Sequence, residues 1–329
     1  MTESRKVLVA VSRFHDNSPD AFARLRAAGC EVVPNDLGRL LTEDELIERL
    51  PGVFATIAGS EPYTERVLAA APDLRVIARF GVGYDQVDVS AASRHGVAVA
   101  MAFGTNHEAV ADHAFALIAA LGNRVLLDYR KLMGGGWGST LHLSLWRSTV
   151  GIVGLGRIGR ALARRCKGFE MRVLACDAKP DPAHAREHRI ELVDLETLLR
   201  ESDFVSIHAP HAPDTDKLID HDRLALMKRD AYLINTARGG LVDETALYEA
   251  LMAKRIAGAG LDVFEVEPLP ASSPLRELPN VILTPHVAGL NAASLAAATE
   301  RCVESVLAVR EGRSPGDEYL LNPEAIAPG

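Results

Sequence analysis

Thr149-Val-Gly-Ile-Val153-Gly154-Leu-Gly156-Arg157-Ile158-Gly159 is the stretch that decides the fold. An apolar strand-like run enters a Gly-x-Gly-x-x-Gly turn, and a helical pattern follows. The first glycine permits a tight turn and the second lets backbone approach a pyrophosphate. The third lets the helix lie close to the strand, and the helix N-terminus offers amides and the positive end of its dipole. A glycine-rich turn alone also simply ends strands. Here Asp177 closes the next strand candidate about 20 residues on, the distance at which a carboxylate meets the adenosine ribose. That carboxylate would repel a 2′-phosphate, so NAD is expected over NADP, with Lys179 opposing the preference.

Working outward, strand candidates at 149–153, 172–176, 204–207, 232–235, 260–263 and 281–283 alternate with helical patterns at 157–167, 194–201, 222–227 and 244–254. That is a doubly wound α/β domain with a parallel sheet. A second alternation precedes it: strands at 6–11, 31–33, 54–58, 74–78 and 97–100, with helices at 20–28, 64–70 and 90–94. Thr42-Glu-Asp-Glu45 has capping-box spacing and predicts a helix start. A long apolar helix is expected from 106 to about 131, and a last one over 292–311 closed by Gly312. The tail, with Pro315, Pro323 and Pro328, is poor material for regular structure. About 150 residues precede the glycine turn, so the nucleotide domain reads as inserted into another. The expected division is 1–104, 105–289 and 290–329.

Composition agrees with a globular enzyme-sized chain. Of 329 residues 48% are hydrophobic and 24% charged, and 36 Lys+Arg against 44 Asp+Glu give a net charge of −8. An acidic balance argues against a nucleic-acid coat or an anionic-membrane binder. The apolar run 114–121 is far short of the ~20 residues a membrane helix needs. Residues 1–6 lead directly into a strand, with Arg13 and His15 just after it, so no signal peptide is expected. Four scattered cysteines without a CxxC pair suit a reducing, cytoplasmic setting.

Three more segments follow strand candidates: Leu233-Ile-Asn-Thr236-Ala-Arg238-Gly-Gly, Gly258-Ala-Gly-Leu-Asp262-Val-Phe-Glu-Val-Glu267-Pro and Leu283-Thr-Pro-His286-Val-Ala-Gly289. In open α/β sheets the carboxyl ends of strands border the ligand crevice. An Arg there can hold a carboxylate and polarise a ketone. A His can protonate the alkoxide, and a nearby carboxylate can orient the imidazole and raise its pKa. Glu265 competes with Glu267 for that last role, because residues two apart on an extended segment point the same way.

With the glycine turn and Ala78-Arg-Phe-Gly-Val82-Gly83-Tyr-Asp85, these segments resemble the D-isomer-specific 2-hydroxyacid dehydrogenase family, most closely its 3-phosphoglycerate dehydrogenase-like members. The resemblance implies a Rossmann NAD-binding domain inserted into a flavodoxin-like substrate domain. It also implies hydride exchange between NAD and a small D-2-hydroxy or 2-keto acid, with catalytic residues Arg238, Glu267 and His286. Carried over by motif, Val82, Gly83 and Arg238 would bind substrate, and Asp262 would meet the nicotinamide carboxamide. Gly154, Gly156, Arg157, Ile158, Gly159, Asp177, Pro210, Thr215, Thr236 and Gly289 would line the cofactor. A homodimer is expected, with neither nucleic-acid nor membrane partners.

Against the family pattern, Phe103 stands for a usual Pro, Asp112 for a usual Glu, and His211-Ala212 for a common Leu-Thr. No regulatory C-terminal domain is expected after the last helix. His184-Ala-Arg-Glu-His188 matches a metalloprotease pattern, but it falls in an exposed connection and reads as a solvated turn, so no metal is expected. 3-Phosphoglycerate is one candidate substrate, and would need positive charge such as Arg13 or Arg79. Glyoxylate or hydroxypyruvate is the alternative. An NAD(H)-sensing corepressor-like protein is the rival from another class.

Overall fold

The computed structural model describes residues 5–11, 19–138 and 141–326. Arg13, His15 and Pro328 lie outside them. The chain divides into two compact units, Met1–Asn106 with Asn291–Gly329, and His107–Leu290.

The first unit is a five-stranded parallel sheet: β1 (Arg5–Val9), β2 (Cys30–Pro34), β3 (Val53–Ala58), β4 (Val76–Arg79) and β5 (Ala98–Met101). Their order is β2-β1-β3-β4-β5, the flavodoxin-like arrangement. β3, β4 and β5 are buried at every position, as parallel strands covered on both faces must be. Helices α1 (Pro19–Ala27), α2 (Glu43–Arg49), α3 (Glu65–Ala69) and α4 (Val89–Arg94) connect them. The Thr42–Glu45 capping box is formed in both directions. The tail is less irregular than expected. Asn322 takes the Val99 amide on its side-chain oxygen (2.8 Å) and donates to the Val97 carbonyl (2.9 Å), pinning the chain along β5.

The second unit begins with α5 (His107–Gly122) and α6 (Val125–Met133), then runs through β6 (Thr149–Val153), α7 (Arg157–Gly168), β7 (Arg172–Cys176), α8 (Pro182–Glu187), β8 (Glu191–Leu192), α9 (Leu195–Glu201) and β9 (Phe204–Ile207). It continues through α10 (His221–Leu226), β10 (Tyr232–Asn235), α11 (Glu244–Met252), β11 (Gly258–Leu261) and β12 (Val281–Leu283). A final helix, α12 (Ala292–Arg310), belongs to the first unit, where Cys302, Val303 and Val306 join its core. The seven parallel strands are ordered β12-β11-β10-β9-β6-β7-β8. The order reverses between β6 and β9, and ligands bind at such a switch point, outside the strands' carboxyl ends.

Two expectations are corrected here. The single helix expected over 106–131 is two, bent by 58° where Arg124 takes a left-handed backbone (φ +56°). The strand expected at 260–263 lies two residues earlier. Among the described residues no single helix is long and apolar enough to cross a membrane.

Candidate active site

Everything chemical in the second unit gathers at the carboxyl ends of its strands. Gly154 follows β6 at φ +96°, and a Cβ there would fall 2.7 Å from the His208 carbonyl after β9. A Cβ on Gly159 would fall 2.2 Å from the Gly154 oxygen. Both positions demand glycine, and together they seat α7 against β6. Gly156, the N-cap of α7, faces open space, and Arg157 and Ile158 begin the helix. Asp177, at the end of β7, accepts the amides of Leu155 (2.6 Å) and Lys179 (2.7 Å) and so fixes the turn. A cavity of about 480 Å³ opens beside it, lined by Ala175, Pro180, Leu192, Val193, Asp194 and Thr197.

Two buried polar atoms on this edge have no hydrogen-bond partner among the described residues, the Thr236 hydroxyl after β10 and His208 Nδ1. Burial holds the His208 imidazole down at about 4, so it is neutral, with Nε2 on Ser206 Oγ (2.9 Å). Unsatisfied buried polar atoms around an open glycine cradle fit a polar, phosphate-bearing ligand. The residues present thus suit NAD. In the loop after β9, the Thr215 hydroxyl donates to the Pro210 carbonyl (2.8 Å) and accepts the Ala212 amide (2.8 Å). His211 Nε2 meets Asp216 (2.8 Å).

The pair expected to do acid–base work comes from two other strand ends. His286, after β12, presents Nδ1 to Glu267 Oε2 at 2.6 Å, and Glu267 Oε1 accepts the Phe264 amide at 2.9 Å. Glu265 is engaged elsewhere. It exchanges hydrogen bonds with Glu244 at the start of α11, accepting the Glu244 amide (3.1 Å) while its own amide donates to the Glu244 carboxylate (2.6 Å). Geometry therefore sets Glu267, not Glu265, against the imidazole. The Glu267 hydrogen bond raises the His286 pKa, outweighing partial desolvation and the opposing charge of Arg238. Burial pushes the Glu267 carboxyl up, but its bonds to His286 and the Phe264 amide outweigh that and hold it below the ordinary range. With Nδ1 donating to a carboxylate, Nε2 is left for a substrate oxygen.

Arg238 follows β10. Its neighbour Asn235 donates to the Arg238 carbonyl (2.8 Å) and accepts the Ala237 amide (3.0 Å), shaping the turn from beneath. A Cβ on Gly239 would overlap the Phe264 carbonyl carbon at 1.9 Å, so only glycine lets the Arg238 segment lie against the Glu267 segment.

Asp262 follows β11 directly. It is 0% exposed, and its carboxylate accepts the Thr284 hydroxyl (2.6 Å) and the amides of Val287 (3.0 Å) and Ala288 (2.8 Å). Through these bonds the side chain braces the His286 loop. Gly289 follows that braced stretch. Val82 and Gly83 lie after β4 in the first unit. The His184 and His188 rings stack at 4.2 Å, and no metal-holding group of three ligands occurs among the described residues. His113 of α5, by its spacing a helix-face residue, also reaches this loop. Its Nε2 lies 3.0 Å from Thr284 Oγ1, a partner 171 positions away that helix periodicity could not reveal.

A glycine cradle for a dinucleotide and a carboxylate-backed imidazole at the same edge of one parallel sheet fit a nucleotide-dependent oxidoreductase. Residues 115–288, more than half of the chain, match the model described as D-isomer specific 2-hydroxyacid dehydrogenase, NAD binding domain, and the chain belongs to that family. A glyoxylate reductase of Korarchaeum cryptofilum is 42% identical over 85% of this chain and 86% of its own. A D-3-phosphoglycerate dehydrogenase of Archaeoglobus fulgidus is 38% identical over 86% of this chain but 53% of its own, so the chain spans about half of that relative. A D-lactate dehydrogenase of Aquifex aeolicus, solved with NAD and lactic acid, superposes with a TM-score of 0.84 at 28% identity, covering 99% of this chain and 100% of that one. The protein is an NAD-dependent oxidoreductase interconverting a D-2-hydroxy acid and its 2-keto acid. Nothing in these likenesses supports the corepressor reading.

Proposed function

We propose that the protein reduces a small unphosphorylated 2-keto acid, glyoxylate or hydroxypyruvate, in preference to 3-phosphohydroxypyruvate. The observation that carries this is the state of Arg79, the described candidate for holding a phosphate. It is 8% exposed, and its guanidinium donates to the Ala58 and Phe80 carbonyls (3.2 Å each) and the Ser60 hydroxyl (3.3 Å). A cation so placed serves the loops of its own unit. The identity to a glyoxylate reductase supports the same choice.

In this reading Arg238 grips the substrate carboxylate and polarises the ketone, aided by the Val82 and Gly83 backbone of what we propose as the substrate domain. NADH, held by the glycine turn, would provide the hydride that reduces the ketone carbon. His286 Nε2 delivers a proton to the ketone oxygen, and Glu267 stabilises the imidazolium before and steadies the neutral ring after. Gly154, Gly156, Arg157, Ile158, Gly159, Pro210, Thr215, Thr236 and Gly289 line the cofactor, with Asp177 disfavouring a 2′-phosphate.

We also propose a homodimer in the cytoplasm. α6 buries none of its residues, and Val125, Tyr129, Leu132 and Met133 stand exposed with Trp137 (89%) and Leu141 (96%), a surface suited to a second copy. All four cysteines are free thiols, which suits a reducing compartment.

Steady-state reduction of glyoxylate, hydroxypyruvate, pyruvate and 3-phosphohydroxypyruvate with NADH and NADPH tests the substrate. The two small acids are expected to give the highest kcat/KM, with NADH ahead of NADPH. A maximum at the phosphorylated acid would sink the proposal.

A further inference from the structure

His286 sits on a backbone that needs help. Its φ of +53° is a left-handed conformation that a non-glycine residue keeps only where its surroundings over-determine it. Besides a longer bond from the His286 amide to the Thr284 carbonyl (3.1 Å), the backbone is held by one residue, Asp262. Its backbone carbonyl accepts the His286 amide (2.8 Å), and its carboxylate accepts the next two amides, those of Val287 and Ala288. Asp262 in turn is oriented by Thr284, whose hydroxyl donates to Oδ1 at 2.6 Å.

A hydroxyl has one proton, and Thr284 gives it to a carboxylate that can only accept. Thr284 Oγ1 must then accept from its other neighbour, His113 Nε2 at 3.0 Å, which fixes the His113 proton on Nε2. The same nitrogen lies 3.7 Å from Asp262 Oδ1, at the only face of that fully buried carboxylate approached by a side chain able to carry positive charge among its described ion-pair contacts.

We propose that His113 is a positioning residue for the acid–base reaction: through Thr284 and Asp262 it holds the segment 286–288 in the one backbone conformation that keeps the His286 ring against Glu267. His113 touches neither reacting atoms nor His286 itself. It acts from α5, so the helix that opens the second unit is tied to the orientation of the catalytic imidazole. The device resembles the outer partners of metal-bound histidines, where a second hydrogen bond fixes tautomer and ring direction. The charged groups that act on the His286 ring are Glu267, Arg238 and Asp262. Loosening the loop changes the first contact most, because it is a direct hydrogen bond.

The test uses His113→Leu, His113→Gln and Thr284→Val in the full-length protein. His113→Leu and Thr284→Val are each expected to lower kcat on the order of tenfold, with the KM for NADH within about twofold of the parent. Combining them is expected to add little, since both cut one chain of bonds. His113→Gln, which keeps a side-chain N–H donor, is expected to recover most of the rate. NMR titration of the His286 imidazole without cofactor is expected to move toward the ordinary histidine value in His113→Leu and to stay near the parent in His113→Gln. An unshifted titration in His113→Leu would overturn the proposal, as would equal impairment of the Leu and Gln variants, which marks simple packing. If His113→Leu fails to fold, Thr284→Val decides by the same criteria, since it removes only the hydroxyl from a side chain of the same shape. The inference rests on His286 being the acid–base group. That reading fails separately, if His286→Ala keeps turnover.

Discussion

At the scale of single residues, the proposed chemistry and its pH dependence rest on one 2.6 Å contact between His286 and Glu267. Replacing His286 with Ala removes the acid–base group and is expected to cost ~10²–10⁴-fold in kcat, read by steady-state assay at fixed pH. The pH profile follows from the sign of the shift. Reduction needs the protonated imidazole, and Glu267 raises the His286 pKa, so reduction persists to a higher pH than an ordinary histidine allows before it falls. Oxidation needs the neutral ring and rises over the same interval. Glu267→Gln removes the charge, so the falling limb of reduction is expected at lower pH; an unmoved limb would mean another group titrates. Arg238, Glu267 and His286 stand out in the sequence as candidates because each trails an apolar run, where parallel strands deliver side chains to a shared edge. Spacing left Glu265 and Glu267 open, since an extended segment gives both the same direction, and only the family resemblance pointed to Glu267. In the structure Glu267 meets His286 while Glu265 accepts the Glu244 amide.

At the scale of elements, glycines carry the fold's close approaches. Gly159→Ala would drive a methyl to 2.2 Å from the Gly154 oxygen and push α7 off β6. Overpacking of this kind costs about 1–3 kcal/mol. The expected result is a lower melting temperature together with at least tenfold weaker NADH binding by fluorescence titration. A variant with unchanged affinity would remove the glycine turn from the cofactor site. Most strands of the second unit were readable from apolar runs, but β11 was misplaced because Gly258-Ala-Gly260 has weak strand propensity. Its small residues answer to neighbours. A Cβ at Gly260 would press on Leu117 of α5 at 3.1 Å, and one at Gly258 on the Asn280 carbonyl at 2.4 Å. The break between α5 and α6 was hidden for a similar reason. Apolar periodicity runs through it, and the interruption lies in the left-handed backbone at Arg124, which no proline announces.

For the whole molecule, each unit closes its own sheet between two hydrophobic clusters, and α6 with the segment after it carries a run of exposed apolar residues. Trp137→Glu is expected to convert a dimer to a monomer in sedimentation equilibrium while leaving the far-ultraviolet spectrum intact. A parent protein that sediments only as a monomer would remove the dimer. By itself, sequence determined the α/β class, the inserted nucleotide domain, the glycine turn and the candidates for the site, because strand and helix periods and glycine turns are local properties of a chain. Tertiary structure alone decided which glutamate meets His286, that Asp262 braces a loop, that Arg79 turns inward, and that His113 bonds to Thr284. Those are contacts between segments far apart in the chain, and hydrogen bonding and burial exist only once packing has brought them together.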